Sequence, residues 1–268
     1  MYDFEYVKAA TLQDAVGILS ADDAAKALAG GMTFIPVLKQ RFSQPSVVVD
    51  LGGLGLSYIR REDDTLVIGG MTPHGVVAAS PVVHAAIPAL AWLAGHIGDR
   101  QVRYRGTIGG SLANDDPSAC YPSAVLALNA TIRTDRRDIA ADDYFQGIFT
   151  TALEPGELIT EVRLPTAERA AYVKFPNPAS RYAMVGVFVA KTAEGVRVAV
   201  TGAGQDGVFR HHAFEEALAG SFDAASLDGI ETPPDMMNSD IHAGAEYRAH
   251  LVDVIARRAV EIANAGAR

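Results

Sequence analysis

Ala29-Gly30-Gly31-Met32-Thr33-Phe34-Ile35-Pro36 and Thr107-Ile108-Gly109-Gly110-Ser111-Leu112-Ala113-Asn114-Asp115-Asp116-Pro117 are the two stretches on which the reading of this chain turns. Each pairs two glycines with nearby hydroxyls, and the second adds an amide and two carboxylates. Glycine admits positive φ and lets a ligand approach the backbone closely. Consecutive N–H groups in such a loop form a concavity for an anion, helped by a following helix. Either stretch alone is an ordinary tight turn. Two of them converging on one anion would supply donors for a pyrophosphate without the lysine of a phosphate-binding loop.

The surroundings of the first stretch read as strand, loop and helix. Ala24 to Leu28 is a short apolar strand, and Ile35 to Arg41 is a helix with Pro36 in its first turn. Leu12 to Ser20 is a helix capped by Thr11, and Ser46 to Leu51 is a β-rich run. Around the second stretch, Tyr58 to Arg60 and Thr65 to Ile68 form a hairpin. Thr72-Pro73 starts a helix with Thr72 as cap, and Val83 to Ile97 reads as one longer helix closed by Gly98. Asp99 to Cys120 follows neither period. Pro122 to Leu128 is helical, and Thr131 to Thr134 and Ile159 to Leu164 are strands. Further on, Met184 to Lys191 and Val196 to Thr201 make an antiparallel hairpin. Helices are expected near 213–218 and 245–263, with an irregular excursion at 231–240. The expected division is residues 1–54, 55–166 and 167–268.

Bulk properties narrow the function. Of the 268 residues, 49% are hydrophobic and 21% charged, an ordinary globular balance. The formal net charge of -9 disfavours nucleic acid as a partner. No stretch is long and apolar enough for membrane insertion, which takes about 20 residues. The N-terminus lacks the pattern of a signal peptide, so the expected location is cytoplasmic. The single cysteine, Cys120, excludes an internal disulfide and an all-cysteine iron–sulfur cluster, and the seven histidines follow no metal-ligand spacing. Redox chemistry in this chain therefore requires an organic cofactor.

Other residues have bland readings. Gly202-Ala203-Gly204-Gln205-Asp206-Gly207 matches G-x-G-x-x-G, but its preceding strand belongs to a hairpin and no βαβ unit follows, so a Rossmann site is rejected. Arg100, Arg103 and Arg105 read as surface residues, Trp92 as core, His211-His212 as a surface pair, and Cys120 as a packing residue.

The chain resembles the medium, FAD-binding subunits of the molybdenum hydroxylases, the group of carbon monoxide dehydrogenase and xanthine dehydrogenase. The resemblance rests on AGGMTFIP at 29–36 and GDRQVRYRGTIGGSLANDDPSACYP at 98–122. It continues through ELITEVRLP at 157–165, AYVKFPNPASRYAMVGV at 171–187 and SDIHAGAEYRAHLVDVIARRA at 239–259. It implies an α+β fold, with a two-lobed PCMH-type FAD-binding module and a C-terminal lobe of antiparallel sheet and helices. It implies FAD binding by Ala29, Gly30, Gly31, Met32, Thr33, Phe34, Ile35 and Pro36, and by Thr107, Gly109, Gly110 and Ser111. Ile97, Gln101, Asn114 and Asp116 line the same cleft on this reading. Ile159 meets the flavin through its backbone, Lys174 lies beside the isoalloxazine, and Tyr182 covers one flavin face. Cys120 stands where many relatives have a cofactor-contacting Asp. A thiol is a weaker acceptor, and Asp115 or Asp116 is the substitute. No histidine is expected near either glycine loop, so the FAD is expected to be non-covalent.

The function this implies is electron transfer on behalf of other chains. A [2Fe-2S] small subunit and a molybdopterin-binding large subunit are the expected partners, with NAD or another acceptor taking the electrons. Two alternatives stand beside it: a non-redox module for a phosphorylated ligand, and a self-sufficient flavin oxidase.

Overall fold

A computed structural model describes residues 1–266. Three larger sheets and a two-stranded one organise them, packed around three apolar clusters. The first contains β1 (Glu5–Lys8), α1 (Leu12–Ala21), β2 (Lys26–Leu28), α2 (Phe34–Lys39) and β3 (Val47–Asp50), with strand order β1-β3-β2 and both pairings parallel. Helix α1 starts at a capping box: Asp14 N–H donates to Thr11 Oγ1 at 3.1 Å, and Thr11 N–H donates to the Asp14 carboxylate at 3.1 Å. Ala15 and Leu19, one helical turn apart, are the residues it buries.

The second sheet is antiparallel, in the order β4-β5-β10-β6-β7. Strands β4 (Ile59–Glu62) and β5 (Thr65–Gly69) form the expected hairpin. Six helices then intervene: α3 (His74–Ala79), α4 (Pro81–Ala86), α5 (Pro88–Gly95), α6 (Arg100–Arg105), α7 (Ile108–Asn114) and α8 (Tyr121–Ala127). They are followed by β6 (Thr131–Thr134), β7 (Asp138–Ala140), α9 (Ala141–Tyr144), the small hairpin β8 (Phe145–Gly147) and β9 (Thr150–Thr151), and β10 (Ile159–Pro165). The largest apolar cluster packs these helices on the sheet and includes Leu66, Ile68, Leu90, Leu93, Ile108 and Val162.

The third sheet, β11 (Arg169–Pro176), β12 (Ala183–Thr192), β13 (Gly195–Gly204) and β14 (Gly207–Arg210), is an antiparallel meander. Helices α10 (His212–Gly220) and α11 (Ala245–Asn264) close it, and α11 buries Leu251, Val252, Ile255, Ala259 and Val260. Among the described residues no helix is long and apolar enough to cross a membrane.

Several local expectations are corrected. Val83 to Ile97 is not one helix. Pro88 has no N–H to continue the ladder and pushes Ile87 out of the helical region, to φ -144° and ψ 79°, so α5 restarts with Pro88 in its first turn. Asp99 to Cys120 holds two helices too short to show a period. Asp99 caps α6 through Val102 N–H (2.8 Å), and Thr107 caps α7 through Gly110 N–H (3.1 Å). Thr72 does not cap α3; its hydroxyl bonds Tyr58, and Pro73 takes the capping position. Trp92 is only half-buried and packs on His96, ring centroids 3.9 Å apart. His211 is buried, not a surface residue; it stacks on Phe214 and its Nε2 lies 3.0 Å from the Thr232 hydroxyl. The G-x-G-x-x-G at 202–207 is the turn of the β13–β14 hairpin, which confirms the rejection of a βαβ unit there.

Candidate functional site

The first glycine loop leaves the C-terminal end of β2 and enters α2. Gly31 adopts φ +75°, a conformation open to glycine and costly for side chains with a Cβ. Gly30 serves a different purpose: a Cβ there would collide with the carbonyl of Arg105. Gly109 has the same purpose in the second loop. A Cβ on it would stand 2.6 Å from Gly70 O, and its own N–H donates to that carbonyl at 2.9 Å. The two loops also touch each other, since a Cβ on Gly110 would meet Thr107 Oγ1 at 2.9 Å and Ala29 Cβ at 3.4 Å. Two of these four glycines, Gly30 and Gly109, are thus spacers that let backbone approach backbone, while Gly110 leaves room for the Thr107 and Ala29 side chains.

The loops are not equivalent as donors. Among the described residues, the backbone N–H groups of Gly30, Gly31, Met32 and Thr33 have no hydrogen-bond partner. In the second loop the amides are already engaged: Ile108 with Thr72 O, Gly109 with Gly70 O, Gly110 with Thr107 Oγ1 and Ser111 with Thr107 O. What the second stretch offers instead are side chains, the Ser111 hydroxyl and the Asn114 amide, neither bonded to another of the described residues.

Both loops border one cleft of about 700 Å³. That volume lies within the range of small-molecule sites, about 300–1,000 Å³. It is walled by all three sheets and their connections: Ala29 to Phe34 from the first, Gly70 to Ile159 from the second, and Lys174 and Ala179 to Tyr182 from the third. The candidate cofactor-binding residues, Cys120 and Asp116 included, line this cleft, with the exceptions of Ile35, Pro36, Gln101 and the alternative carboxylate Asp115. Ile35 instead packs beneath Gly31, and Gln101 is exposed on α6. None of Arg100, Arg103 and Arg105 lines it; Arg103 donates to Ile97 O at 3.1 Å and so ties α6 to the end of α5.

One cleft residue overturns an expectation. His74 stands against the second loop: its N–H donates to Gly106 O at 2.9 Å, and Pro73 forms a bridge with Thr107. The premise that no histidine approaches a glycine loop is therefore wrong. The imidazole is buried at 4% exposure, and burial, then the Arg103 charge, pull its pKa from 6.5 down to about 4. It is neutral at physiological pH, and its Nδ1 has no partner. Gly70, Met71, Glu157 and Leu158 also join the lining without any signal in the sequence, because the contacts that place them there are non-local.

The charged groups of the cleft fall into two sets. Glu157 is held near pKa 2: burial works against its ionisation, but bonds from Arg137, Glu154 N–H and Thr134 outweigh it. Asp116 is raised by burial, and Asp115 behind it is raised to about 7 by burial and then by the Asp116 charge. Lys174, on β11, donates to His96 O at 2.6 Å, Arg181 O at 3.0 Å and Cys120 Sγ at 3.6 Å. Tyr182, half exposed, follows Arg181, whose φ of 64° turns the chain there.

The donor chemistry fits a dinucleotide flavin. Four unpartnered amides beside a loop glycine at positive φ suit a pyrophosphate, and Ile97, Ile159 and Tyr182 supply apolar and aromatic wall. Among the described residues no group of His, Cys, Asp and Glu is placed to hold a metal ion.

Comparison with known proteins agrees with this geometry. Residues 2–167 match the model of the FAD binding domain in molybdopterin dehydrogenase. The chain is 38% identical to the nicotine 6-hydroxylase medium subunit of Paenarthrobacter nicotinovorans, over 98% of this chain and 97% of that one. It is 34% identical to the carbon monoxide dehydrogenase medium chain of Afipia carboxidovorans, over 99% and 98%. In three dimensions it resembles a chain of reconstituted CO dehydrogenase from Oligotropha carboxidovorans, with a TM-score of 0.90, 32% identity and 98% of each chain covered. A chain of quinoline 2-oxidoreductase from Pseudomonas putida 86 gives a TM-score of 0.88 at 27% identity, covering 99% of this chain and 98% of that one. The protein therefore belongs to the FAD-binding medium subunits of the molybdenum hydroxylases, as a flavoprotein subunit of an oxidoreductase with FAD as its cofactor.

Proposed function

We propose that this chain relays electrons, taking them from an iron–sulfur small subunit and handing them to an external acceptor, while a molybdopterin-binding large subunit oxidises the substrate. FAD supplies a carrier that takes up and releases electrons singly or in pairs. The chain's own residues bind and orient it. Gly30 to Thr33 present amides to the pyrophosphate, and Ser111 and Asn114 add side-chain donors from the facing loop. The neutral His74 fills the floor under Gly106 and Thr107 without adding charge. Lys174 and Tyr182 line the same cleft, where they would border the flavin ring, and Lys174 would favour its reduced, more negative form by Coulomb attraction. The observation that carries this reading is the pairing, in one cleft, of four unpartnered amides with an ammonium held only by carbonyls and a thiol.

The FAD is held non-covalently on this reading. His74, the histidine nearest the loops, is buried against Gly106 and Tyr121. Relatives named as medium subunits and medium chains match end to end, which favours a relay over a self-sufficient oxidase. The test is co-expression with iron–sulfur and molybdopterin subunits, followed by addition of the complex's substrate without oxygen. Bleaching of the flavin band in the complex, absent in this chain alone, is the expected result. Equal turnover by the isolated chain would refute the relay.

A further inference from the structure

The arginines that face buried carboxylates are paired with them. Arg60, Arg133 and Arg163 surround Glu161, Arg137 holds Glu157, Arg210 holds Glu215 and Arg248 holds Asp240. Lys174 departs from that pattern. Among the described residues no carboxylate lies within ion-pair distance of it, and its three donors go to two backbone carbonyls and the Cys120 thiol. Cys120 is 5% exposed, stands immediately before α8, and is enclosed from below by Tyr172 of β11. On that side the thiol faces the fully buried Tyr172, an uncharged group.

A carboxylate in the place of the thiol would change this. It would stand at ion-pair distance from the ammonium, where opposite charges attract strongly. Most of the field that Lys174 projects into the cleft would then be cancelled. We propose that Cys120 is a positioning residue that anchors Lys174 without neutralising it, and that this unpaired ammonium holds the flavin potential up. The inference rests on the reading that the flavin ring lies beside Lys174 and Tyr182. It adds that the residue at 120 sets how much of the Lys174 charge the ring feels.

The experiment compares two-electron midpoint potentials of bound FAD, by spectroelectrochemistry, in the full chain and in Cys120→Ser, Cys120→Asp, Lys174→Met and the Cys120→Asp/Lys174→Met double variant. Cys120→Ser, whose hydroxyl accepts from Lys174 and carries no charge, is expected to match the parent. Cys120→Asp and Lys174→Met are each expected to shift the potential negative. The size is about tenfold in the oxidised-to-reduced ratio at a fixed poise, or about 30 mV for a two-electron couple. In the double variant the Asp should add little beyond Lys174→Met, since the charge it would cancel is gone. An unchanged potential in Lys174→Met with FAD bound overturns the inference, as does a Cys120→Asp shift that persists in full without Lys174. A purified parent chain without flavin would instead overturn the site assignment on which the inference rests.

Discussion

Asp115 closes α7 in the left-handed region, at φ 42°. Its carbonyl accepts the Phe149 N–H at 3.1 Å, and its carboxyl is buried with a pKa raised to about 7. A carboxyl raised in this way contributes its full share of stability below the ordinary value of 3.8 and loses it as pH rises through 7. Asparagine tolerates left-handed backbone and carries no charge. Asp115→Asn is therefore expected to raise the melting temperature at pH 8 by at least about 2 °C and to leave it nearly unchanged at pH 3.5. An equal effect at both values would show that the carboxyl is not the cause. At this scale the sequence is informative about residue type and silent about reason. Paired glycines marked both loops, yet only Gly31 needs its positive φ, while Gly30 and Gly109 exist for backbone contacts with Arg105 and Gly70. Those partners lie too far along the chain for any local pattern to reveal them.

Helix α11 shows what a single side chain does for two strands. Arg248, 3% exposed, sends Nη1 to Met184 O and Gly202 O, both at 2.8 Å, and Nη2 to Asp240 at 2.7 Å. It thereby fixes the helix to the ends of β12 and β13. Arg248→Met would leave the Met184 and Gly202 carbonyls without this donor, at about 1–3 kcal/mol for each buried group left unsatisfied, while Asp240, part-exposed, keeps the His242 and Ala243 N–H bonds. Chemical denaturation should show a loss of that order with an unchanged m-value; a loss under 1 kcal/mol would mean that the sheet ends hold without it. Elements with strong local signals were legible in the sequence. Helix α1 has its capping box, and β12 and β13 have long β-branched runs around a short turn. Helices α4 and α5 were misread as one because a continuous apolar run outweighed Pro88. Helices α6 and α7, of six and seven residues, are shorter than two helical turns and display no period. Strand β11 alternates weakly, with Ala171 and Tyr172 buried in succession, so its place in the sheet follows from pairing with β12 and not from its own pattern.

The whole molecule places its cleft where three sheets meet, and the site exists only through that meeting. Its walls depend on contacts such as His74 with Gly106, Gly109 with Gly70 and Lys174 with His96, none of them local in sequence. This explains why the loops could be read from residue types while Glu157, Leu158 and His74 could not, and why the resemblance, not the spacing, placed Lys174 and Tyr182 at the cleft. It also divides the labour between the loops: the first donates through its backbone, and the second shapes the site and donates through side chains. The central claim is that these two touching loops hold FAD. Gly110 is the point of contact, where a larger side chain would press on Thr107 Oγ1 and Ala29 and displace the free amides of Gly30 to Thr33. The decisive measurement is the FAD content, by absorbance, of purified parent and Gly110→Val chains matched for circular dichroism. We expect near-stoichiometric flavin in the parent and a loss of at least about tenfold in affinity in the variant, the equivalent of 1.4 kcal/mol. Full FAD content in a natively folded Gly110→Val chain would contradict the account.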